Sequence, residues 1–487
     1  MLLKELLKNI KVYETNGEID NVDVSSLTLD NRKCSKGSAF FAIKGLVNDG
    51  HRYIGSAAEN GAVAAFVEEF TCDNILQIKV KDTRSATSLA AAAFYGDPAR
   101  RMRFIGVTGT NGKTSITFML KTALETRGMR VGVIGTSGIY AGDKKLEIAI
   151  STSTTPDPIE LQYILSRLAD AGVEVVVMEV TAQALHLRKV EDIYYDAAVF
   201  TNLTQDHLEF FGTMEVYAGA KKKLFTAQRS NYAVINTDDA VGLEIAQSTD
   251  CRLLTYSVDG NTDLSARNVQ LGARGCEFEL CTGEGNVKAE LGITGLFNVY
   301  NALGAIGALM AFGFSAEEAA AALKQYKGTP GRFELPDMHG LPFSVVIDYA
   351  HTPDGLENIL KTVAGYKKGR LIAVFGCGGN RDTKKRPIMG KIAAQYSDFC
   401  VLTSDNPRFE NPDSVIDQIE AGIPEGYTSY TKIENRYNAI KYAMQNARED
   451  DIIVIAGKGD EDYQEIKGIK HHFSDREAVA EIRDTLK

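Results

Sequence analysis

A glycine-rich turn that ends in lysine and threonine is the feature of the sequence with the clearest chemistry. In GVTGTNGKTS, the backbone amides of Gly109 to Lys113 can converge on phosphate oxygens, and the positive end of the next helix adds to the attraction. Lys113 adds a point charge, and Thr114 offers a hydroxyl to Mg²⁺. Val107 stands where the strict phosphate-loop pattern has its first glycine. A purely structural turn is the alternative, but the position of Gly-Lys-Thr between an apolar strand and a helix favours an ATP site.

An acidic residue near the end of an apolar run is the second candidate. Glu179 lies in VEVVVMEV, which has the composition of a strand buried on both faces. In α/β sheets, ligands bind where such strands end. The alternative is that Glu179 has no function and only lies where the strand emerges from the core into solvent. Together with a phosphate loop, Glu179 is better interpreted as part of a ligand-binding site.

The elements that must position these residues alternate between strand and helix. RFIGVTG reads as an apolar strand, and ITFMLKTALETRG reads as a helix that ends at Gly128. Further apolar strands follow at VGVIG, VEVVVMEV and DAAVFTN, as in a parallel sheet. The last third repeats the alternation with FSVVIDYA, RLIAVFG, DFCVLTS and DIIVIAG. The pattern predicts an α/β fold throughout.

Three domains are expected from 487 residues and from the glycines and prolines that interrupt the pattern. A small N-terminal α/β domain covers residues 1–100 and ends after Gly96 and Pro98. A central domain with a parallel sheet, similar to phosphate-loop ATPases, covers residues 101–332 and ends in GTPGRFE. A C-terminal Rossmann-like α/β domain covers residues 333–487.

Composition and charge exclude several classes of protein. With 44% hydrophobic and 24% charged residues, the chain is neither disordered nor fibrous. A net charge of −10 without a basic run argues against nucleic acid as a partner. Seven scattered cysteines without a CxxC pair indicate a reducing compartment. Because no signal peptide and no apolar stretch of membrane-spanning length is evident, we expect a cytoplasmic protein without membrane insertion, and a monomer.

Several longer stretches together resemble the Mur ligase family, which also includes folylpolyglutamate synthetase and the cyanophycin enzymes. From about residue 27 to residue 476, the family's order is matched by TGTNGKTS, MEVTAQAL, FTNLTQDHLEFFGTMEVYAGAKKKLF, GLFNVYNALGAIGAL, GRFE, VIDYAHTPDGL, GCGGNRDTKKRP, TSDNPR and GKGDEDYQ. The resemblance is strongest to the ligases that add the third amino acid of the peptidoglycan stem peptide. It implies an enzyme that uses ATP and Mg²⁺ to join meso-diaminopimelate to UDP-N-acetylmuramoyl-L-alanyl-D-glutamate through an acyl phosphate.

The resemblance also implies roles for individual residues around the nucleotide. The residues expected to bind ATP are Gly109, Thr110, Asn111, Gly112, Lys113, Thr114, Ser115, Asn298, Asn301, Arg332, Asp348 and His351. The catalytic residues are Lys113, Glu179, His207 and Lys221, and the Mg²⁺ ligands are Thr114, Glu179, His207 and Lys221. Lys221 is expected to be carbamylated, because a neutral amine that takes up CO₂ becomes an anion able to face the metal. The alternative is a solvated run from Lys221 to Lys223.

The same resemblance places the UDP-muramoyl substrate on the first and central domains. The residues implied are Leu29, Asn31, Thr154, Thr155, Thr181 and Lys189, with Leu46 to Asn48 lining the uridine end. Asn31 stands where serine is usual, and asparagine still forms hydrogen bonds. In VTAQALHLRKV, Thr181, Ala182 and Gln183 stand where Ser-Ser-His is usual, and Leu187 and Lys189 stand where Gln and Arg are usual. Lysine in place of arginine loses a two-toothed guanidinium. These departures leave open a paralogue that acts on a different acid and amino acid.

The third domain is expected to select the incoming amino acid. The residues implied are Arg381, Asp405, Asn406, Pro407, Arg408, Gly457 and Glu461. The distal carboxylate of diaminopimelate suits Arg408, and its ammonium suits Asp405 and Glu461. DNPR could also be only a turn that ends a strand. Asp460 stands where histidine is usual, and an added acid could favour L-lysine, so a lysine-adding ligase is the runner-up.

A nucleotide-binding switch or scaffold without catalytic activity is the hypothesis from another class. The triple of Glu179, His207 and Lys221 argues against it, because a binding module needs no such apparatus around the metal and the γ-phosphate.

Overall fold

A computed structural model describes residues 1–45, 48–152, 154–258, 260–272 and 275–486. The chain forms two compact units. The first contains residues 1–106, 128–198 and 220–231, and the second contains residues 107–127, 199–219 and 232–487. Each unit is built from strands and helices that alternate along the chain, as the apolar runs predicted.

A five-stranded sheet forms the N-terminal part of the first unit. Its strands, in spatial order, are Val12–Thr15, Leu76–Val80, Ala62–Val67, Ser38–Phe41 and Ser26–Thr28. The first pair is antiparallel and the others are parallel. Phe41 and Phe66 stack in its core with ring centroids 4.3 Å apart. The small α/β arrangement expected for the N-terminal residues is therefore present.

The remaining strands of the first unit carry the acid Glu179. Val175–Glu179 pairs in parallel with Val131–Gly135, which continues antiparallel into Gly138–Ala141 and Lys144–Lys145. The α-helices of this unit are Leu3–Leu6, Ile54–Glu59, Thr83–Phe94, Pro158–Asp170 and Ala182–His186. Short 3₁₀-helices are Asn31–Lys33, Gly50–Tyr53 and Pro98–Arg101. Elements that begin in one unit and end in the other are Arg103–Thr108, Tyr195–Phe200, Met214–Lys222 and Ser230–Asn236.

Five successive strands of the second unit show that the sheets of the central region are mixed. Parallel pairing joins Ser230–Asn236, Arg252–Val258 and Leu264–Gly272, and antiparallel pairing then joins Gly275–Thr282 and Gly285–Leu291. The parallel pairing expected for the central domain is present, and antiparallel strands extend it. The last two strands are joined by a two-residue turn, and buried and exposed side chains alternate along the first of them, as is typical of antiparallel strands with one solvated face.

The C-terminal sheet is fully parallel and Rossmann-like. Its strands, in spatial order, are Ser344–Asp348, Ile452–Ala456, Leu371–Phe375, Phe399–Leu402 and Tyr430–Lys432. Four of these are the apolar runs identified in the sequence. Apolar clusters cover the sheet, and a separate hairpin is formed by Tyr463–Ile466 and Ile469–His472.

Helices of the second unit follow most of its strands. They are Lys113–Thr126, Leu208–Phe211, Ala240–Ser248, Leu296–Ala311, Ala316–Leu323, Pro353–Ala364, Lys385–Tyr396, Pro412–Glu420, Arg436–Gln445 and Asp475–Thr485. In the described part of the chain, none of the helices has both the length and the apolar character needed to cross a lipid bilayer.

A carboxylate of the first unit, Asp192, is expected to make stability depend on pH. Ser88 donates a hydrogen bond to Asp192 Oδ1 over 2.9 Å, and Gln162 Nε2 donates to the other oxygen. Burial, only partly offset by these bonds, raises the pKa of Asp192 to about 6. A carboxyl whose pKa rises on folding holds its proton more tightly in the folded state. Its stabilising contribution is therefore full below the unfolded pKa near 3.8 and is lost as the pH rises through about 6.

We expect the unfolding free energy of the wild type, minus that of Asp192→Asn, to fall by roughly 1 to 3 kcal/mol between about pH 4 and about pH 7. Urea unfolding at a series of pH values measures this difference. A difference that does not vary with pH would contradict the prediction.

Candidate active site

The glycine-rich turn forms a tight loop between the strand Arg103–Thr108 and the helix Lys113–Thr126. Gly112 is the N-cap residue of that helix and has a φ of +86°, and Gly109 has a φ of +153°. A Cβ at Gly109 would collide with the Thr201 hydroxyl, and one at Gly112 would collide with the amide oxygen of Asn301. Only glycine fits both positions, so the loop and the start of the helix form a cradle of the kind that holds phosphate groups.

Side chains and neighbouring backbone hold the loop in shape. Lys113 Nζ donates to the carbonyl oxygens of Gly109 and Thr110 over 3.0 and 2.7 Å. Thr201 Oγ1 donates to Asn111 O over 2.6 Å, and the Asn111 amide donates to Asn202 Oδ1 over 2.9 Å. The ammonium of Lys113 thus lies over the loop, where a phosphate group would also be attracted.

Asn298 and Asn301 lie three residues apart on one buried face of the helix Leu296–Ala311. Asn301 Nδ2 donates to Asn298 Oδ1 over 3.2 Å, and Asn298 Nδ2 donates to Thr294 O over 2.8 Å. Because Asn301 also touches Gly112, this helix packs directly against the phosphate loop.

Residues around the start of the C-terminal sheet also reach the loop. Arg332 NH2 lies 3.4 Å from Thr114 Oγ1. Asp348 ends its strand and accepts backbone hydrogen bonds from Phe333 and Ala350, both over 2.7 Å. Arg332, which the sequence predicted to bind ATP, therefore contacts the loop. Asp348 accepts one of its hydrogen bonds from the residue that follows Arg332.

His351 is held as a neutral imidazole. Its Nδ1 donates to Tyr349 O over 2.9 Å, since a carbonyl can only accept. Burial, together with the charge of nearby Lys385, lowers the pKa of His351 to about 4. At neutral pH, His351 can therefore accept a hydrogen bond at Nε2 but adds no charge to the site.

His207 lies in a loop rich in acids. It has a left-handed φ of 54°, and its ring nitrogens lie 3.3 Å from Asp206 Oδ2 and 3.6 Å from Glu209 Oε1. Burial opposes ionisation of Asp206, but interactions with nearby groups, including His207, Lys385 and Lys113, outweigh it and lower the pKa of Asp206 below its ordinary value. Asp206 can thus orient the His207 ring.

Glu179, in the first unit, is fixed by threonines at the end of its strand. It is 1% exposed, and it accepts hydrogen bonds from the Thr136 amide over 2.9 Å and the Thr136 hydroxyl over 3.1 Å. Thr136 Oγ1 lies 3.0 Å from Thr154 Oγ1, and Thr155 Oγ1 donates to Glu179 O over 2.9 Å. Thr181 bonds to Thr155 in turn. The predicted Glu179, Thr154, Thr155 and Thr181 therefore form one polar cluster.

Two of the predicted lysines in the first unit are not free surface charges: Lys221 is buried, and Lys189 forms an ion pair. Lys221 is 1% exposed, whereas Lys223 is exposed, so the alternative of a wholly solvated lysine run is wrong. Lys189 Nζ pairs with Asp157 Oδ1 over 2.6 Å.

The predicted uridine end lies near the start of the chain. Leu29 is half-buried, and Asn31 Nδ2 donates to Ser56 Oγ over 3.1 Å. Of the predicted segment from Leu46 to Asn48, Leu46 and Val47 lie outside the described residues.

The predicted amino-acid residues surround a buried lysine at the ends of the C-terminal strands. Lys458 Nζ lies 3.2 Å from Asn406 Oδ1, 3.2 Å from Glu461 Oε2 and 3.7 Å from Asp405 Oδ1. Gly457, with a φ of +121°, makes room for Asp405, because a Cβ there would lie 2.7 Å from Asp405 Oδ2. Burial raises the pKa of Asp405, but the charges of Lys458, Arg436 and other nearby groups together outweigh it, and the net shift is downward. Burial raises the pKa of Glu461.

Arg408 follows Pro407, which is buried, and has a left-handed φ of 51°. Its Nε donates to Glu465 Oε2 over 3.2 Å, and NH1 donates to Gly379 O over 2.8 Å. Within the described residues, NH2 makes no hydrogen bond. A non-glycine residue in this conformation, with its guanidinium held on one side, is typical of a functional position.

Arg381 is half-exposed, and its NH1 lies 3.7 Å from Glu209 Oε1. Next to it, Asp382 accepts a hydrogen bond from Gln205 Nε2 over 2.8 Å. The loop that carries His207 is therefore tied to the loop that carries the predicted amino-acid ligand Arg381.

Comparison with known proteins identifies the family. Family models match residues 23–95 (Mur ligase family, catalytic domain), 107–309 (Mur ligase middle domain) and 331–459 (Mur ligase, glutamate ligase domain). A UDP-N-acetylmuramoyl-L-alanyl-D-glutamate–2,6-diaminopimelate ligase of Clostridium tetani is 44% identical over 492 residues, which cover 100% of both chains. The chain belongs to the Mur ligase family.

Other relatives agree with this assignment to the Mur ligases. A UDP-N-acetylmuramoyl-L-alanyl-D-glutamate–2,6-diaminopimelate ligase 1 of Clostridium acetobutylicum is 43% identical over 485 residues, with 99% of each chain covered. A solved structure of a UDP-N-acetylmuramoyl-L-alanyl-D-glutamate–2,6-diaminopimelate ligase superimposes with a TM-score of 0.70 at 31% identity, covering 100% of this chain and 99% of that one. The three-domain α/β architecture and the ligase class expected from the sequence are thus confirmed. The switch or scaffold hypothesis is wrong.

Four residues of this Mur ligase contact the predicted site but were missed by sequence reasoning. Asp354 Oδ2 accepts from Asn111 Nδ2 over 2.6 Å, and burial raises the pKa of Asp354. The others are Asp206, Lys458 and Glu465. Asp206 and Lys458 could have been found, because each adjoins a predicted residue in TQDHLEF or GKGDEDYQ. Asp354 lies in VIDYAHTPDGL, three residues after His351, but no local pattern connects it to Asn111, which precedes it by 243 residues.

The residues of the Mur ligase expected to hold Mg²⁺ divide between the two units. Thr114 and His207 belong to the second unit, and Glu179 and Lys221 belong to the first. Groups of three or more His, Cys, Asp and Glu side chains suited to a metal do not occur in the described ranges. The expected set needs no such group, because a hydroxyl and a carbamylated lysine supply two of its four ligands, and oxygen donors are those that Mg²⁺ prefers.

Proposed function

We propose that this Mur ligase joins meso-diaminopimelate to UDP-N-acetylmuramoyl-L-alanyl-D-glutamate with consumption of ATP. The observation that carries the proposal is the pairing of buried Lys458 with Asp405 and Glu461, together with Arg408, which follows in the same DNPR segment and is held by Glu465. The relatives at 43 to 44% identity bear the name of that activity.

A carboxylate must be activated before an amine can replace its oxygen, because oxide is a very poor leaving group. Transfer of the γ-phosphoryl group of ATP to the glutamate carboxylate of the substrate gives an acyl phosphate and ADP. The amine of the incoming amino acid attacks the carbonyl carbon, and phosphate leaves as the amide forms. Catalysis of this sequence is chiefly positioning and charge stabilisation.

The chain's own residues supply these two functions. The glycine cradle and Lys113 fit the phosphates, and Arg332 lies beside the loop at Thr114. The Mg²⁺ ligands stay those proposed from the sequence, Thr114, Glu179, His207 and carbamylated Lys221, and the charge of a bound ion would stabilise the transferring phosphoryl group. Neutral His351 leaves the positive charge at the site to the lysine and arginine side chains.

Charge counting supports an amino acid with both an ammonium and a carboxylate at its distal end. Counted formally and without Arg408, the three side chains of Asp405, Glu461 and Lys458 carry one net negative charge, which suits one ammonium. The NH2 edge of Arg408 suits a carboxylate. L-lysine would leave that edge of Arg408 without a partner, and such sites reject analogues that lack the matching group.

The case for L-lysine rested on Asp460 as an extra acid for a cationic substrate. Asp460 Oδ1 pairs with Arg332 NH1 over 3.2 Å, so its charge is already matched within the protein. A different muramoyl acid stays a separate possibility, motivated by Lys189 and its pairing with Asp157. A cytoplasmic location and a monomeric state stay predictions from the sequence.

Phosphate release measured with UDP-N-acetylmuramoyl-L-alanyl-D-glutamate tests the proposal. We expect release with meso-diaminopimelate and little with L-lysine. Release with lysine alone would favour the runner-up, and release with neither amino acid would indicate a paralogue with other substrates.

Replacing Lys221 by alanine is expected to lower kcat by roughly 10- to 100-fold, as for groups that support a metal site. Short carboxylic acids added to the assay should restore part of the activity, because they return an oxygen pair to the place of the carbamate. In the wild type, ¹³C NMR with labelled bicarbonate should detect the carbamate, which adds about 44 mass units. Full activity of Lys221→Ala without added acid would refute the assignment, and Lys223→Ala is the control for loss of a lysine.

A further inference from the structure

The guanidinium of Arg332 is held on several sides. NH1 donates to Asp460 Oδ1 over 3.2 Å and to the carbonyl oxygen of Gly331 over 3.0 Å. Its Cζ lies 4.0 Å from the ring centroid of Tyr349. NH2 donates to Thr114 Oγ1 over 3.4 Å. One edge of the group thus faces Asp460 and the other faces the phosphate loop.

The backbone around Asp460 is locked to the backbone around Arg332. Gly331 and Gly459 have φ values of +69° and +55°. A Cβ at Gly459 would lie 2.5 Å from Gly331 O and 2.9 Å from Arg332 NH1, and a Cβ at Gly331 would collide with the Asp460 amide. Because two glycines are needed for this approach, the Asp460 carboxylate has little freedom to move away from Arg332.

A guanidinium is planar, and its five donors keep a fixed geometry. Fixing NH1 and the ring face therefore also fixes the direction of NH2. Both side chains of the pair are largely buried, with 14% of Arg332 and 17% of Asp460 exposed, so water screens the contact poorly.

We propose that Asp460 is a positioning residue for the nucleotide: it holds Arg332 so that the NH2 edge faces the phosphates bound at Thr114. This inference rests on the proposed use of ATP. It differs from the role considered for Asp460 in the sequence, since the acid acts on Arg332 and not on the incoming amino acid.

A counter-charge is the competing role for Asp460. If Asp460 merely reduced the positive charge near the loop, removing it would strengthen the attraction for phosphates. If it positions Arg332, removing it lets the guanidinium turn toward solvent, and nucleotide binding weakens. The two roles predict shifts of opposite sign.

Titration calorimetry with MgADP separates them. We expect Asp460→Ala to bind MgADP about tenfold more weakly than the wild type, or about 1.4 kcal/mol. Asp460→Asn, which keeps an acceptor oxygen, should weaken binding less. Asp462→Asn is the matched control, because this exposed acid lies two residues away, and it should bind as the wild type does. Unchanged or tighter binding by Asp460→Ala would overturn the proposal, and if that variant does not fold, unchanged or tighter binding by Asp460→Asn would do so.

A double-mutant cycle tests whether the weaker MgADP binding of Asp460→Ala acts through Arg332 or through general damage to the structure. In an Arg332→Ala background, Asp460→Ala should cause no further loss of MgADP binding. An equal loss in both backgrounds would contradict positioning through Arg332. In turnover, KM for ATP should rise while KM for diaminopimelate stays unchanged.

The same measurements separate this inference from the proposed function. A wild type that binds MgADP but does not ligate diaminopimelate would refute the proposed substrate and leave the role of Asp460 standing. A wild type that ligates diaminopimelate, with Asp460→Ala binding MgADP normally, would refute only the positioning role. Absence of MgADP binding by the wild type would overturn both.

Discussion

Replacing Lys113 by methionine is expected to lower kcat/KM for ATP by roughly 10³-fold, because a fixed positive donor at the transferring phosphoryl group acts mainly in the transition state. Lys113 Nζ donates to Gly109 O and Thr110 O, so the ammonium is already held over the loop before any phosphate binds. Methionine keeps most of the length of the side chain and removes its charge and donors. ADP formation with both other substrates present measures the loss.

Lys121→Met is the matched control for this change. Lys121 lies two turns further along the same helix and pairs with Glu125 over 2.8 Å, away from the loop. Its loss is expected to lower the unfolding free energy while leaving the affinity for MgADP unchanged. Near-normal turnover by Lys113→Met, with the loop intact, would remove the basis for an ATP site at this position.

Replacing Arg408 by alanine is expected to lower kcat/KM for meso-diaminopimelate by roughly 10³-fold, because removing one partner of a desolvated charge pair leaves the other unmatched. The guanidinium is anchored through Nε to Glu465 and through NH1 to Gly379, which leaves the NH2 edge for the substrate carboxylate. Affinity for MgADP should not change, since Arg408 contacts neither the phosphate loop nor Arg332. Initial rates with diaminopimelate and with lysine, over a range of concentrations, provide the comparison.

Arg408→Lys serves as the conservative partner. It keeps the positive charge but loses the planar guanidinium that Glu465 and Gly379 orient, so an intermediate loss is expected. A uniform loss for diaminopimelate and lysine would point to a collapsed loop, a result that thermal unfolding of the variant would also reveal. Equal use of diaminopimelate by the wild type and Arg408→Ala would refute the assigned role.

Much of the fold followed from local patterns. Val175–Glu179 is apolar up to its last residue and Ile452–Ala456 is apolar throughout, and both are strands of parallel sheet buried along their length. The antiparallel pair Gly275–Thr282 and Gly285–Leu291 was not anticipated, because its alternating pattern is weaker and its turn is only two residues long.

The burial and pairing of individual site residues could not be predicted from the local sequence. Lys221 looked like part of a charged surface run, and only the structure shows that its side chain is buried. Arg408 was expected to face the substrate alone, whereas Glu465 already binds one side of it. Burial and pairing depend on neighbours from distant segments, which no local pattern contains.

The sequence by itself determined the glycine-rich turn between a strand and a helix and the acid at a strand end, since these depend on residue type and on spacing within a few positions. Tertiary structure alone decided which groups share the loop: Asp354 meets Asn111 across 243 residues, and Arg332 meets Thr114 across 218 and Asp460 across 128. The physical reason is the distance along the chain over which each effect acts. Secondary-structure propensity and hydrophobic periodicity act over a few residues. These contacts form only when the chain packs and brings distant loops together.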